Sequence, residues 1–195
     1  MKKEKDLLMK TIENNKYFGT WDEEIELYRI TRKSDKLIGG YIKELSNLSE
    51  YGNCFVYCNA RVYGNARVYG NAKVSGDARI YNNARIYNNA RVSGNAKVFD
   101  NAKVFDNAMV FGNAIISGNA QISDGEITKT QDYITLKNRN SSGRYYTYNY
   151  TSDTWVIGCL IATTTELVSH LELEENASAI QKDEYTKAIK FVLSL

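Results

Sequence analysis

The sequence predicts a mainly β protein with a parallel β-helix at its centre, and two regularities indicate it. From Val56 to Ile122 every sixth residue is Val or Ile, and up to Ile116 an Ala stands four places after each of them. The two residues before each Ala are Gly, Asn or Asp, apart from Cys58, and such residues tolerate turn conformations. β-Branched residues suit a strand, whereas a period of six does not match an α-helix.

Each six-residue unit therefore predicts one short strand and one turn, with two side chains pointing inward. A single unit cannot bury its apolar side, but stacked coils bury a continuous core of Val, Ile and Ala. The repeats from Val56 to Ile127 predict about four coils at three units per coil, a stack roughly 20 Å tall at the usual strand spacing. In the last unit, ISDGEI, we expect Glu126 to replace the Ala.

Residues 1–49 are predicted to form an N-terminal helix and strand cap. Residues 1–20 are charged and predict a helix, and short strands are expected around IELYRI and LIGGYI. This segment covers the open end of the coil, since terminal repeats need a cover that blocks edge pairing. The repeat region, residues 50–127, begins with a degraded copy, EYGNCF, in which Cys54 stands at the Ala position.

Residues 128–195 are predicted to form a small α+β module, with strands first and two helices after them. The predicted strands DYITL, RYYTYNYT and TWVIGCLIA are rich in β-branched and aromatic residues, and turns separate them at Asn138–Gly143 and Thr151–Asp153. Thr164–Leu173 and Lys182–Leu193 have the apolar spacing of amphipathic helices.

Composition bounds the setting and the chemistry. The net charge is +2, so global electrostatics favours neither a nucleic-acid binder nor an acidic mimic of one. Three cysteines, an odd number, predict reduced thiols and a cytosolic setting. No stretch approaches the roughly 20 apolar residues of a membrane span, so no membrane contact is expected. Cys54 and Cys58 lack the spacing and the further ligands of a structural zinc site, and we expect no metal and no cofactor.

The VYGNAR units, with Val62 followed by Ala66 and Ile80 by Ala84, resemble the left-handed parallel β-helix of the hexapeptide-repeat superfamily. The left hand is implied by this resemblance alone. From about Glu24 onward the order LYRI, GGYI, NLS, NARVYGNA, WVIGC, TTTEL and EYTKAIKF resembles a group of uncharacterised repeat proteins common in bacteriophages, prophages and gut bacteria. This implies a phage or mobile-element protein in the bacterial cytoplasm, and no particular activity.

The sequence indicates a protein without a catalytic site. The best-known hexapeptide-repeat proteins are acyltransferases, in which the resemblance implies a His near the coil as general base. The one His here, His170, lies in a predicted helix after the coil, and no inserted loop interrupts the repeats between Val56 and Ile122. The motifs GxxxxGK[ST], HExxH and GxSxG are absent. We therefore predict that the protein is not an enzyme.

The outward positions of the repeats carry the candidate binding residues. Three units per coil stack the second positions as Tyr63–Tyr81–Phe99–Ser117, Tyr69–Tyr87–Phe105–Ser123 and Tyr57–Ser75–Ser93–Phe111. Residues 56–91 hold six Lys or Arg against Asp77 alone, whereas residues 92–127 hold two against four acidic residues. The first half of the coil is therefore basic and aromatic. The predicted partner-binding residues are Arg61, Arg67, Lys73, Arg79, Arg85, Arg91, Tyr63, Tyr69, Tyr81 and Tyr87.

Three interpretations of these ladders stay open. Tyr and Arg stack on each other and shield the strands, or they form a protein interface, including that of a homodimer or trimer, or they bind nucleic acid through phosphates and bases. The sequence favours a non-enzymatic binding protein that acts through protein–protein or nucleoprotein contacts, such as an inhibitor of a host defence system like a CRISPR effector. A hexapeptide-type acyltransferase and a structural, virion-associated protein are the alternatives.

Overall fold

The computed structural model describes residues 10–138, 143–173 and 178–195. The protein is mainly β, with a parallel β-solenoid of about five turns followed by a four-stranded antiparallel sheet and two helices. This confirms the predicted fold class, whereas the left hand stays a prediction. Within these ranges, no helix is long and apolar enough to cross a membrane.

An antiparallel meander precedes the solenoid. The helix predicted over residues 1–20 is wrong in the described part, because this part holds two strands. Tyr17 is fully buried and its neighbour Phe18 is exposed, which is the alternation of a strand, so pairing decides the structure of a segment whose helical pattern is weak. The strands of the meander are β1 (Thr11–Glu13), β2 (Tyr17–Asp22), β3 (Leu27–Arg32) and β4 (Ile38–Ile42).

The solenoid consists of two-residue strands, one for each repeat. Each strand holds the sixth residue of one unit and the inward first residue of the next. In chain order the strands are β5 (Phe55–Val56), β6 (Arg61–Val62), β7 (Arg67–Val68), β8 (Lys73–Val74), β9 (Arg79–Ile80), β10 (Arg85–Ile86), β11 (Arg91–Val92), β12 (Lys97–Val98), β13 (Lys103–Val104), β14 (Met109–Val110), β15 (Ile115–Ile116), β16 (Gln121–Ile122) and β17 (Glu126–Ile127).

These strands stack into three parallel faces. We call them the Tyr63 face (β4, β6, β9, β12 and β15), the Tyr69 face (β7, β10, β13 and β16, preceded by a bridge from Leu48 to Val68) and the serine face (β5, β8, β11, β14 and β17). The solenoid has one turn more than predicted, because β4, Leu48 and β5 complete a first turn ahead of the regular repeats. The segments that build this turn, IGGYI and NLS, carry no six-residue pattern that would indicate it.

The inward side chains form one continuous core. Every first-position Val or Ile from Val56 to Ile116 is fully buried, and so is every Ala at the fifth position. Each buried Val or Ile stabilises the fold by roughly 1.5–3 kcal/mol through its transfer from water. Tyr17, Ile30 and Phe55 belong to the same buried cluster, so the meander covers the core at its N-terminal end.

The corners of the coils are stabilised by two repeated features. The third position of each regular unit has a left-handed backbone, which Asn82 and Asp100 adopt at φ of 57° and 58° as glycines do elsewhere. Asparagines at the fourth position form ladders between coils: Asn65 Nδ2 donates to Asn83 Oδ1 at 3.2 Å, and Asn83 Nδ2 donates to Asn101 Oδ1 at 3.3 Å. The turn preference is predictable from composition, whereas the ladders follow from the stacking.

The first corner of the Tyr69 face is longer than a regular unit. Leu48 and Val56, both inward, are eight residues apart instead of six. Leu48, and not Glu50 at the start of the degraded copy, therefore takes the inward position. The extra residues, Glu50 and Tyr51, bulge from the corner, since Asn53 N already donates to the carbonyl of Gly70 as a fourth-position residue does.

The last unit is one residue short. Ile122 and Ile127, both inward, are five residues apart. Glu126 pairs with Met109, a sixth-position residue, so the prediction that Glu126 replaces the Ala is wrong. Gly125 takes that place instead, because its carbonyl accepts a hydrogen bond from Met109 N at 2.9 Å, as an Ala carbonyl does in the other coils.

The C-terminal module has the predicted order of strands and helices. The predicted strand TWVIGCLIA is a hairpin that turns at Gly158, whose φ is 65°. The second helix begins three residues before the predicted start, where Gln181 N donates to Ser178 Oγ at 3.2 Å as an N-cap; the predicted turn at 138–143 lies largely outside the described residues. The elements are β18 (Tyr133–Lys137), β19 (Tyr145–Asn149), β20 (Thr154–Ile157), β21 (Leu160–Thr163), α1 (Thr164–Leu173) and α2 (Ala179–Leu193).

Hydroxyl groups of the C-terminal module satisfy the last coil. In the solenoid the N–H of each sixth-position residue donates to a carbonyl of the following coil, and the last coil has no follower. Threonine side chains accept instead, so the open edge is covered. The pairs are Ile115 N with Thr130 Oγ1 at 3.3 Å, Gln121 N with Thr147 Oγ1 at 3.0 Å and Glu126 N with Thr151 Oγ1 at 3.2 Å.

Candidate partner-binding surface

The predicted binding residues lie on the outside of the solenoid, in columns along its axis. The sixth and second positions flank an inward residue, so their side chains leave the strand on the outward side. The structure shows the expected register of the basic ladders, with one ladder on each of the three faces. The register pairs are Arg61 with Arg79, Arg67 with Arg85, and Lys73 with Arg91.

Tyrosine rings stack on one another on two faces. The ring centroids of Tyr63 and Tyr81 are 5.2 Å apart with planes 3° from parallel, and those of Tyr69 and Tyr87 are 4.9 Å apart at 0°. This separation follows from the strand spacing, and each ring pair contributes about 0.5–1.5 kcal/mol beyond its buried area. Phe99 and Phe105 continue the two stacks at 4.9 and 5.1 Å.

The ladder cations have no partner inside the described part of the protein. In residues 10–138, 143–173 and 178–195, none of them forms an ion pair or lies over an aromatic ring. Cation–π contacts occur in the meander instead, where Arg29 lies over the Tyr41 ring at 4.8 Å and Arg32 over Phe55 at 5.0 Å. The rings of the ladders therefore stack on one another. The interpretation in which Tyr and Arg stack on each other is not supported by any cation–π contact of the ladders in the described residues.

A groove opens at the N-terminal end of the Tyr69 face. This cavity, the Tyr69 groove, has a volume of about 710 Å³. The inserted residue Tyr51, which is 79% exposed, and the 3₁₀ turn Leu45–Asn47 contribute its walls. It combines two arginines and a stacked ring, which is the composition expected of a site for an anion that carries an apolar part, with one carboxylate, that of Glu50. Its lining includes Ser46, Ser49, Tyr51, Arg67, Tyr69 and Arg85.

Asn47 fixes the wall of the Tyr69 groove. Its side chain is fully buried, and Oδ1 accepts hydrogen bonds from the peptide N–H groups of Lys43 and Glu44 at 3.1 and 3.0 Å. Nδ2 donates to the carbonyls of Gly64 and Ala66 at 2.9 and 2.8 Å. The 3₁₀ turn is thereby tied to the next coil. The sequence offers no signal for this role beyond an Asn beside an apolar residue.

A smaller groove, the Tyr63 groove, lies on the neighbouring face. Its volume is about 400 Å³, and its lining includes Lys43, Arg61, Tyr63 and Arg79. Lys43 Nζ also lies 5.0 Å from the ring centroid of Trp21. The serine face carries Lys73 and Arg91 without an aromatic stack, so the two grooves contain four of the predicted cations and two of the predicted tyrosines.

Two of the four acidic residues of the later turns, Asp100 and Asp106, belong to the corners of the coils. Asn88 Nδ2 donates to Asp106 Oδ1 at 2.6 Å, and Asn82 Nδ2 donates to Asp100 Oδ1 at 3.1 Å. Asp100 Oδ2 also accepts from the peptide N–H of Gly118. Asp100 and Asp106 therefore belong to the corner ladders, whereas one carboxylate lines each groove of the earlier turns, Glu50 in the Tyr69 groove and Glu26 in the Tyr63 groove.

The stack makes the protein sensitive to alkali. Burial, the neighbouring Tyr69 and Asp106 raise the pKa of Tyr87 to about 12, although Arg85 opposes the shift. Because the folded pKa lies above the ordinary value of about 10, this tyrosine stabilises the fold fully below pH 10 and loses that contribution as the pH rises toward 12. We expect Tyr87→Phe to raise the pH at which the fold is lost.

The measurement is alkaline unfolding followed by circular dichroism, with Tyr51→Phe at an exposed ring as the control. A transition at the same pH for Tyr87→Phe and the control would contradict this prediction.

The one histidine of the chain, His170, does not belong to the repeats. It lies in α1, outside the solenoid, and is exposed. Among the described residues, no group of three His, Cys, Asp or Glu side chains could hold a metal ion. Cys54 is buried, while Cys58 and Cys159 are exposed, and all three are free thiols. The absence of enzymatic activity stays a prediction.

One comparison with known proteins bears on the repeats. A family model described as YdcK Beta solenoid repeat matches residues 60–76, 78–94, 84–98 and 102–118, all within the solenoid and less than half of the chain. No curated protein matches the chain significantly. The similarity supports a β-solenoid repeat protein and names no binding partner.

Proposed function

We propose that this β-solenoid repeat protein is a non-enzymatic binding protein whose basic–aromatic first turns contact an anionic protein or nucleoprotein. The observation that carries the proposal is the set of in-register cations that have no partner in the described residues, beside stacked tyrosines, in two grooves. Tyr and Arg are the residue types that dominate binding energy in interfaces.

Electrostatics favours an anion on these columns. Two unit charges about 5 Å apart repel by roughly 0.8 kcal/mol even in bulk water, and each column stacks two or three cations. A bound carboxylate or phosphate group removes this repulsion and forms charge-assisted hydrogen bonds. The cations are exposed or half-buried, so they are accessible without a rearrangement.

The resemblance to phage and prophage proteins favours a host assembly as the partner. A CRISPR effector is such an assembly, since it exposes both acidic protein surface and nucleic acid, and a protein that acts by binding needs no catalytic site to inhibit it. A homodimer or trimer would present several copies of the grooves. Light scattering gives the mass directly, and a particle larger than a trimer would favour the structural, virion-associated alternative.

We expect charge reversal in the grooves to abolish binding to anionic probes. The variant Arg61→Glu, Arg67→Glu, Arg79→Glu, Arg85→Glu replaces four exposed or half-buried cations. Fluorescence anisotropy with a labelled single-stranded oligonucleotide and with a labelled poly-glutamate peptide measures the affinity. Each lost phosphate contact lowers the slope of log affinity against log salt concentration by about one. With four cations reversed, we expect the affinity at low salt to fall by at least about 100-fold.

The matched control is Lys97→Glu, Lys103→Glu, which reverses charge on the same two faces beyond the grooves. It is expected to retain most of the affinity. Two outcomes would contradict the proposal. One is equal affinity of the groove variant and the control for the probes, and the other is no binding of either probe by the unmodified protein. Melting curves of both variants exclude loss of the fold as the cause.

A further inference from the structure

The aromatic stack of the Tyr69 face ends one ring short of the first turn. Ser49 N donates to the carbonyl of Val68 at 2.9 Å, as Tyr69 N donates to Ile86 at 3.0 Å one coil later. Ser49 therefore occupies the position that Tyr69, Tyr87 and Phe105 occupy in the following turns. A small side chain stands where a fourth ring would continue the stack.

The open ring position belongs to the Tyr69 groove. Ser49 and Tyr69 both line this cavity of about 710 Å³, so the face of Tyr69 that points toward the first turn is accessible. The corresponding place on the Tyr63 face is filled by Lys43, whose N donates to the carbonyl of Val62 at 3.0 Å. The volume of the groove lies in the range of pockets for small ligands.

Two cations stand beside this vacant ring position. Arg67 and Arg85 are paired in register on adjacent strands, and both line the groove. Adjacent strands place them about 4.8 Å apart along the axis, so their guanidinium groups can converge on one phosphate, for which Arg provides bidentate geometry. The groove thus offers a flat aromatic surface beside a pair of cations.

We propose that the Tyr69 groove binds a nucleotide unit, with its base stacked on Tyr69 in the place of the missing fourth ring and its phosphate on Arg67 and Arg85. The inference rests on the proposed function and specifies the chemistry of the partner at this groove. An acidic peptide would use the two arginines but leave the ring face unused. The carboxylate of Glu50, which also lines the groove, repels a carboxylate and a phosphate alike, but it can accept hydrogen bonds. A base donates its exocyclic amino hydrogens to such acceptors.

The test fills the ring position without touching the charges. Ser49→Tyr completes the stack and occupies the place of the base, whereas Ser49→Ala removes the hydrogen bond from Tyr51 N to Ser49 Oγ and leaves the place open. Ser93→Tyr adds a ring at the equivalent position of the serine face. The probes are adenosine 5′-monophosphate, inorganic phosphate and a hexamer of deoxyadenylate, titrated by isothermal calorimetry at low salt.

Stacking of a base on an aromatic side chain is usually worth about tenfold or more in affinity. We therefore expect Ser49→Tyr to weaken the binding of the mononucleotide or the hexamer by at least about tenfold. Ser93→Tyr should bind like the unmodified protein, and Ser49→Ala should lose less affinity than Ser49→Tyr. Stronger binding of the mononucleotide than of the hexamer identifies a free nucleotide as the ligand, and the reverse identifies a strand. Both support the inference, and inorganic phosphate should bind more weakly than either.

Two results would overturn the inference. Binding of the hexamer that Ser49→Tyr leaves unchanged and Arg67→Glu, Arg85→Glu abolishes would show that phosphate alone is recognised, and the proposed anion-binding function would stand without the stacked base. Absence of binding for every nucleotide probe, together with tight binding of poly-glutamate, would replace the nucleotide by an acidic peptide. Melting curves verify that Ser49→Tyr is folded.

Discussion

Replacement of Ile86 by Ala is expected to lower the free energy of unfolding by about 2–5 kcal/mol. Ile86 is fully buried and lies on the central strand β10, between Val68 on β7 and Val104 on β13. Each coil of a solenoid contacts only its neighbours, so a cavity in the middle coil weakens both halves at once.

Urea unfolding followed by circular dichroism measures this loss. The matched control is Ile115→Ala, the same chemical change at a sixth position where the side chain is 36% exposed, against 0% for Ile86. It is expected to cost less than about 1 kcal/mol, as surface substitutions do. Similar losses for the two variants would mean that the inward position does not carry the core.

Asn47→Ala is expected to have a comparable effect through a different cause. The substitution leaves the peptide N–H groups of Lys43 and Glu44 and the carbonyls of Gly64 and Ala66 without the side-chain partner they have now. An unsatisfied buried polar group costs about 1–3 kcal/mol, and a loss of about 3 kcal/mol is expected because some of these groups regain water. The wall of the Tyr69 groove should loosen with it.

Asn65→Ala is the matched control for this variant. Its amide is exposed and forms one hydrogen bond, to Asn83 Oδ1 at 3.2 Å, so it is expected to change stability by less than about 1 kcal/mol. Amide hydrogen exchange adds a local readout, since residues 43–49 should exchange faster in Asn47→Ala alone. Unchanged protection there would mean that the turn is held by other contacts.

The six-residue period explains why so much of the solenoid is predictable. A fixed spacing defines the inward residues, the pairing of each strand and the aromatic and basic columns, because the same step repeats at every coil. The first turn could not be predicted in this way, because β4 and Leu48 are positioned by pairing with β6 and β7 and carry no repeated pattern. The strands over Thr11–Glu13 and Tyr17–Asp22 are likewise stabilised by neighbours that are distant in sequence.

The Tyr69 groove is not predictable for a related reason. The cations and the ring that line it follow from the period, but the cavity requires the insertion of Glu50 and Tyr51, the buried amide of Asn47 and a serine at position 49. Each of these departs from the repeat, and its structural effect depends on how the coils stack in three dimensions. The repeat therefore predicts the columns on the surface, whereas the irregular residues form the groove.

The hydrogen bonds between asparagines eighteen residues apart make the solenoid a screw with a constant pitch. Removal or duplication of eighteen residues within its regular part would shorten or lengthen the columns by one step, and the C-terminal module would keep its orientation about the solenoid axis. Removal of six would rotate that module about the axis by one face. Evolution, or a designer, can thus change the length of the columns by whole turns at a constant orientation of the C-terminal module. A change of six residues instead rotates the module by a third of a turn.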